Sequence, residues 1–130
     1  AALTAYRTGD LEPIVASFAQ ASLRAVTNAR RLVADVDAIV AGWRNRVKAR
    51  SDSGVWRVLE VISRTPVVDA GLVAATLGIR AQNAYPLLRE LTEQGVLNAQ
   101  TEHRFGTVWR SDEVLQAIDR FAERAGRRSV

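Results

Sequence analysis

The chain has 130 residues, 48% of them hydrophobic, with 18 Lys and Arg against 14 Asp and Glu and a formal charge of +4. That length admits one domain or a small domain with an appended element, and the apolar content is enough for a real core. The absence of cysteine excludes a disulfide framework and thiol chemistry, the single histidine argues against a metal site, and there is neither a secretory leader pattern nor an apolar run long enough to span a bilayer.

These features predict a cytoplasmic protein with no cofactor, no metal and no membrane partner. The chain opens Ala-Ala and contains no methionine, which predicts a processed product or a piece of a longer protein.

From Asp10 to Lys48 the sequence predicts one long helix. Asp10 suits the N-cap, and Leu11, Glu12 and Pro13 suit the first turn, where proline loses little and an acid favours the dipole. Val15, Phe18, Ser22, Val26, Ala29, Val33, Val36, Val40, Trp43 and Val47 then recur at spacings of three or four, with Gly42 as a candidate bend. A helix of this length offers more apolar stripe than a small globule can cover. The expected partner for the stripe is a second copy, through Phe18, Val26, Val33 and Val40, or a domain that has been cut away.

Arg44, Arg46, Lys48 and Arg50 follow without an acid among them, whereas residues 51–100 hold four basic groups against five acids. The basic run is a candidate phosphate-contacting flank for a segment that is itself net negative. Ser51, Asp52, Ser53 and Gly54 read as the clearest linker, dividing the chain into a helical segment at 1–50 and a second unit at 51–130.

Val55, Leu59 and Ile62 share one helical face, and Thr65 and Pro66 end that helix. Val68, Leu72, Val73 and Leu77 predict a short apolar helix stopped at Gly78, with Ile79 as a buried anchor. In the next helix Ala84, Leu87, Leu88 and Leu91 face inward, leaving Arg80, Gln82, Asn83 and Arg89 outside. Gln and Asn pair with adenine edges and Arg with guanine edges, the requirement for a helix that enters a major groove. Pro86 lies inside this run at a cost of about 3 kcal/mol, predicting either a later helix start or a kink.

After Gly95, Val96 and Leu97 are expected to begin one wing strand, and Thr107, Val108 and Trp109 to form its return. Arg104 at the tip is a further candidate DNA contact. Ser111 can cap a closing helix through Val114, Leu115, Ile118, Phe121 and Ala122, with a frayed polar end from Arg124. The predicted fold is mainly α with a small β-wing: a long N-terminal helix followed by a winged helix-turn-helix domain.

No enzyme emerges from the residues. Glu90 and Glu93 are neighbours on a solvent-facing helix, and Asp35 and Asp37, two apart, do not share a helical face. The expected function is double-stranded DNA binding in transcription regulation, or alternatively protein interaction and dimerisation without DNA.

The order GDLEPIVASF at Gly9 to Phe18, long helix, basic segment, then TPVVDAGLVAATLGIRAQNAYPLLRELTEQGVL at Thr65 to Leu97 with a wing and closing helix resembles the C-terminal portion of Fic (Fido) family proteins, from Gly9 to about Phe121. The resemblance implies a winged helix appended to a catalytic domain that transfers AMP from ATP to a hydroxyl side chain of a target protein. Family members do so through the motif HPFxxGNGRxxR. Here the single histidine, His103, is followed by Arg104, Phe105 and Gly106, without the motif's Asn, second Gly or flanking Arg, so no catalytic residue carries over. The family also usually has a polar residue where this chain has Pro86, and Ser, Thr or Pro near Ala81 and Gln82, which leaves Gln82, Asn83 and Arg89 as the best carriers of DNA contact.

Overall fold

The computed structural model describes residues 12–102, 104 and 106–128. Gly9, Asp10, Leu11, His103 and Phe105 lie outside the described residues, and with them the expected N-cap and the start of the Gly-Asp segment.

The first helix, α1 (Glu12–Arg46), has 35 residues and at 1.5 Å per residue is about 52 Å long. It passes Gly42 as unbroken helix, so the candidate bend does not interrupt it. Its periodic stripe divides into two parts. At the C-terminal end Trp43 is completely buried, Val47 just beyond it is buried, and Ile39 and Val40 pack half-buried against them. Towards the N-terminus Val15, Phe18, Val26 and Val33 are exposed, Phe18 to 73%. One end of the helix is thus built into the core while the rest extends past it.

The core begins at α2 (Val55–Arg64), where Val55, Val58, Leu59 and Ile62 are buried at helical spacing. The segment expected to be a simple linker contributes to packing: a Cβ on Gly54 would come within 2.9 Å of Leu87 Cδ1, so a larger residue here would require the end of the Leu87 side chain to shift. The Trp56 indole donates to the Arg50 carbonyl at 2.8 Å and ties the start of α2 to the segment before it.

Val68 is not in a helix as its apolar spacing suggested. It lies in β1 (Val67–Asp69) and pairs with Trp109. The competing interaction is local: the Asp69 carboxylate accepts from the Leu72 N–H at 2.7 Å. This N-cap fixes the start of α3 (Ala70–Leu77) after Asp69 and leaves the preceding residues extended. The helix ends on Gly78 at φ 70°, the left-handed conformation that favours glycine.

Helix α4 (Ala81–Glu93) follows directly, with Ala84, Leu88 and Leu91 buried. It begins before Pro86, so a later start is excluded. Val96 and Leu97, expected as strand residues, are instead buried in the turn behind α4, both donating to the Leu91 carbonyl. The strand β2 starts one residue later (Asn98–Glu102), pairs antiparallel with β3 (Gly106–Arg110), and β3 pairs antiparallel with β1 in the order β1-β3-β2. The third strand was not legible in the sequence, since Val67 and Val68 carry a hydrophobic signal common to helix and strand.

Helix α5 (Asp112–Arg128) closes the chain. Ser111 is its cap as expected: its Oγ accepts from the Val114 N–H at 3.2 Å, while its own N–H donates to the Pro66 carbonyl at 2.8 Å and ties this helix to β1. The helix packs along α1. The Trp43 indole donates to Glu113 Oε2 at 2.5 Å, and Arg46 pairs with the same carboxylate at 3.1 Å. Farther along, Asn28 donates to the Phe121 carbonyl at 3.2 Å and accepts from Arg124 Nε at 2.6 Å. Arg124, expected in a polar frayed end, is buried, because the Asn28 amide opposite gives its guanidinium an acceptor within the helix pair.

The result is a mainly α fold with a long N-terminal helix, a winged helix-turn-helix arrangement and a three-stranded β-wing.

Candidate nucleic-acid interface

The burial of Ala84, Leu88 and Leu91 decides which side of α4 faces water. Gln82, Pro86, Arg89 and Glu93, spaced four, three and four residues apart, form an outward row opposite the core. Asn83 is exposed beside that row, near Glu90. On the flank nearer the wing, Tyr85 stands edge-on to Trp109 with ring centroids 5.8 Å apart. These two rings, Arg89, Thr92 and Ala99 line a cavity of about 200 Å³. The structure therefore brings Gln82 and Arg89 onto one line and sets Asn83 to one side of it. Tyr85 was missed by sequence reasoning, and only its position next to the inward-facing Ala84 signalled a place at the edge of the helix face.

Arg80 occupies the N-cap of α4 in an extended conformation and makes no side-chain capping bond. The contrast with Asp69 at the start of α3 is chemical. An aspartate neutralises the positive end of its helix, whereas an arginine leaves the first amides free of side-chain competition and adds charge of the same sign. Such a terminus suits a phosphate. Arg104 is exposed in the turn between β2 and β3. Arg110, by contrast, is engaged on both sides, with Asp112 at 3.1 Å and Gln100 at 3.1 Å.

The basic run does not act as a block of four. Arg46 is committed to Glu113 and Arg50 to Asp52 at 3.3 Å, while Arg44 and Lys48 make no ion pair among the described residues. The backbone of Lys48 is clamped by Gln94, whose amide accepts from its N–H at 2.7 Å and donates to its carbonyl at 3.0 Å. Gln94 lies just past the C-terminal end of α4, so this segment is tied to the opposite end of that helix from Gln82. Arg44 faces a cavity of about 250 Å³ between α1 and α2.

Among the described residues no group of three or more His, Cys, Asp or Glu is placed to hold a metal ion, and no helix is long and apolar enough to cross a membrane.

The chain matches no family model and no curated protein. It is similar to a solved structure of the PcaV transcriptional regulator from Streptomyces coelicolor, at 24% identity over 76% of this chain and 73% of that chain, with a TM-score of 0.44. A likeness of that degree carries no argument about what this chain does. It does correct the resemblance to the Fic family, because the matched protein is a transcriptional regulator and not a Fic protein. The physical reason is the weakness of the motif. The pattern from Thr65 to Leu97 is what any winged helix needs in order to pack, and it does not single out one family.

Proposed function

We propose that this chain is a noncatalytic, cytoplasmic DNA-binding module of transcription regulation, in which α4 enters the major groove of double-stranded DNA and the β2–β3 wing follows the backbone. The observation that carries this reading is the outward row of Gln82 and Arg89 on a helix whose opposite face is locked into the core, with Arg80 at an uncapped N-terminus. Gln82 and Arg89 supply base contacts, with Asn83 beside them. Arg80, Arg104, Arg44 and Lys48 supply contacts to phosphate, and Arg46 and Arg50 contribute less because each is already paired with a carboxylate.

Fluorescence anisotropy with random-sequence duplexes at several salt concentrations tests the reading. Binding is expected at low salt, weak and mostly nonspecific, with log K falling against log salt by about 0.9 per neutralised phosphate. A folded protein that binds no duplex at low salt would leave protein interaction as the function.

The exposed part of α1 supports a second element of the proposal, a homodimer. Arg30 and Asp37 are exposed, lie seven residues apart beside Val26 and Val33, and make no ion pair among the described residues. In an antiparallel pairing of two α1 helices, Arg30 would face Asp37 of the partner subunit, and Asp37 would face the partner's Arg30. One register thus satisfies both charges and buries Val26 and Val33 on each side. Residues 12–46 then act as the pairing element and 51–128 as the reading unit. Sedimentation equilibrium at micromolar concentrations is expected to give the dimer mass, and Val26→Glu with Val33→Glu the monomer mass. A wild-type monomer across that range would reject the homodimer.

A further inference from the structure

Pro86 has no role in the fold that accounts for its cost. A proline inside a helix removes a backbone donor and crowds the preceding turn, an expense of about 3 kcal/mol, yet here the ring is exposed and takes no part in the hydrophobic core. It sits in the middle of the outward row, four residues after Gln82 and three before Arg89.

We propose that Pro86 is a specificity-determining contact that reads the 5-methyl group of a thymine, an inference that rests on α4 lying in a major groove. The argument is by chemistry. Side chains neighbouring along a helix face are about 5–6 Å apart, and successive bases along a strand about 3.4 Å, so a helix that places Gln82 and Arg89 on base edges holds Pro86 over the base pairs between them. The pyrrolidine ring has no donor or acceptor. The thymine methyl is the apolar feature that a major-groove edge presents. A polar residue at this position would select by hydrogen bonding, whereas the proline ring selects a methyl against the polar edges of the other bases. Its lack of rotatable freedom also means that little entropy is lost on contact. The recognised element is therefore duplex DNA with thymine between the bases contacted by Gln82 and Arg89.

The test uses a duplex selected from a random-sequence pool by the whole protein, then synthesised once with thymine and once with uracil, which removes only the methyl groups. Wild-type affinity is expected to fall about fourfold per contacted methyl, the equivalent of about 0.8 kcal/mol for one buried carbon. Pro86→Ser, which restores the helix donor and so favours folding, is expected to bind the two duplexes equally. Equal wild-type binding to both duplexes would overturn the proposal, and so would a thymine preference of the same size in Pro86→Ser, since that would reflect DNA shape. If the folded protein selects no duplex at all, the groove-binding reading fails and this inference fails with it.

Discussion

Trp43→Ala is expected to destabilise the protein by about 3–5 kcal/mol, the range for deleting a large buried aromatic. Trp43 is completely buried, the largest side chain of the core with no exposure, and belongs to a helix most of whose length is exposed. Removing it opens a cavity where α1 meets the winged-helix elements and leaves Glu113 without the indole N–H that now reaches it at 2.5 Å. Urea denaturation followed by circular dichroism measures the loss. Trp43→Phe keeps much of the volume and should cost less, while Phe18→Ala, at a site 73% exposed, should hardly move the midpoint of the monomeric unit. Arg46→Ala is expected to cost under about 1 kcal/mol, since its ion pair with Glu113 is half exposed. If Trp43→Ala cost no more than Arg46→Ala, the end of α1 would be a detachable appendage rather than part of the core.

Arg89→Ala is expected to weaken binding to a selected duplex by about 1–3 kcal/mol, roughly 5- to 150-fold, and to relax the base preference at one position with little change in salt dependence. Replacing Arg80 and Arg104 together should behave differently. Affinity should fall alike for all duplexes, and the slope of log K against log salt should flatten by about 0.9 for each phosphate no longer neutralised. The distinction follows from placement: Arg89 stands in the outward row of α4, whereas Arg80 flanks the helix N-terminus and Arg104 is at the wing tip. Anisotropy titrations of selected and random duplexes at several salt concentrations separate the two effects. An Arg89 variant whose affinity drops equally for both duplexes would reassign this residue to the DNA backbone.

Much of the helical architecture was legible because each helix carries its own signal. The spacing of Val55, Leu59 and Ile62, of Ala84, Leu88 and Leu91, and the chemistry of Gly78 and Ser111 are local properties, and the structure uses each as its spacing or chemistry implied. The outward position of Gln82 and Arg89 followed from the same periodicity. Where two local rules competed, the sequence misled: Val68 fits a helical face, but Asp69 caps the helix after it and β3 takes the extended segment as a third strand.

What the sequence determined by itself was therefore the set of helices, their boundaries to within a few residues, and the inward faces of α2 and α4, because caps, turns and apolar spacing act over one or two helical turns; Leu72 and Ile118, expected on inward faces, are exposed. Tertiary structure alone decided which cations remain available and which part of α1 is covered. Arg46 is occupied because Glu113, far along the chain, folds back beside it; Arg124 is buried because Asn28 lies opposite; and Val26 remains exposed while Trp43 does not. Each of these depends on residues remote in sequence meeting in space, and neither composition nor periodicity encodes which remote segment arrives at a given face.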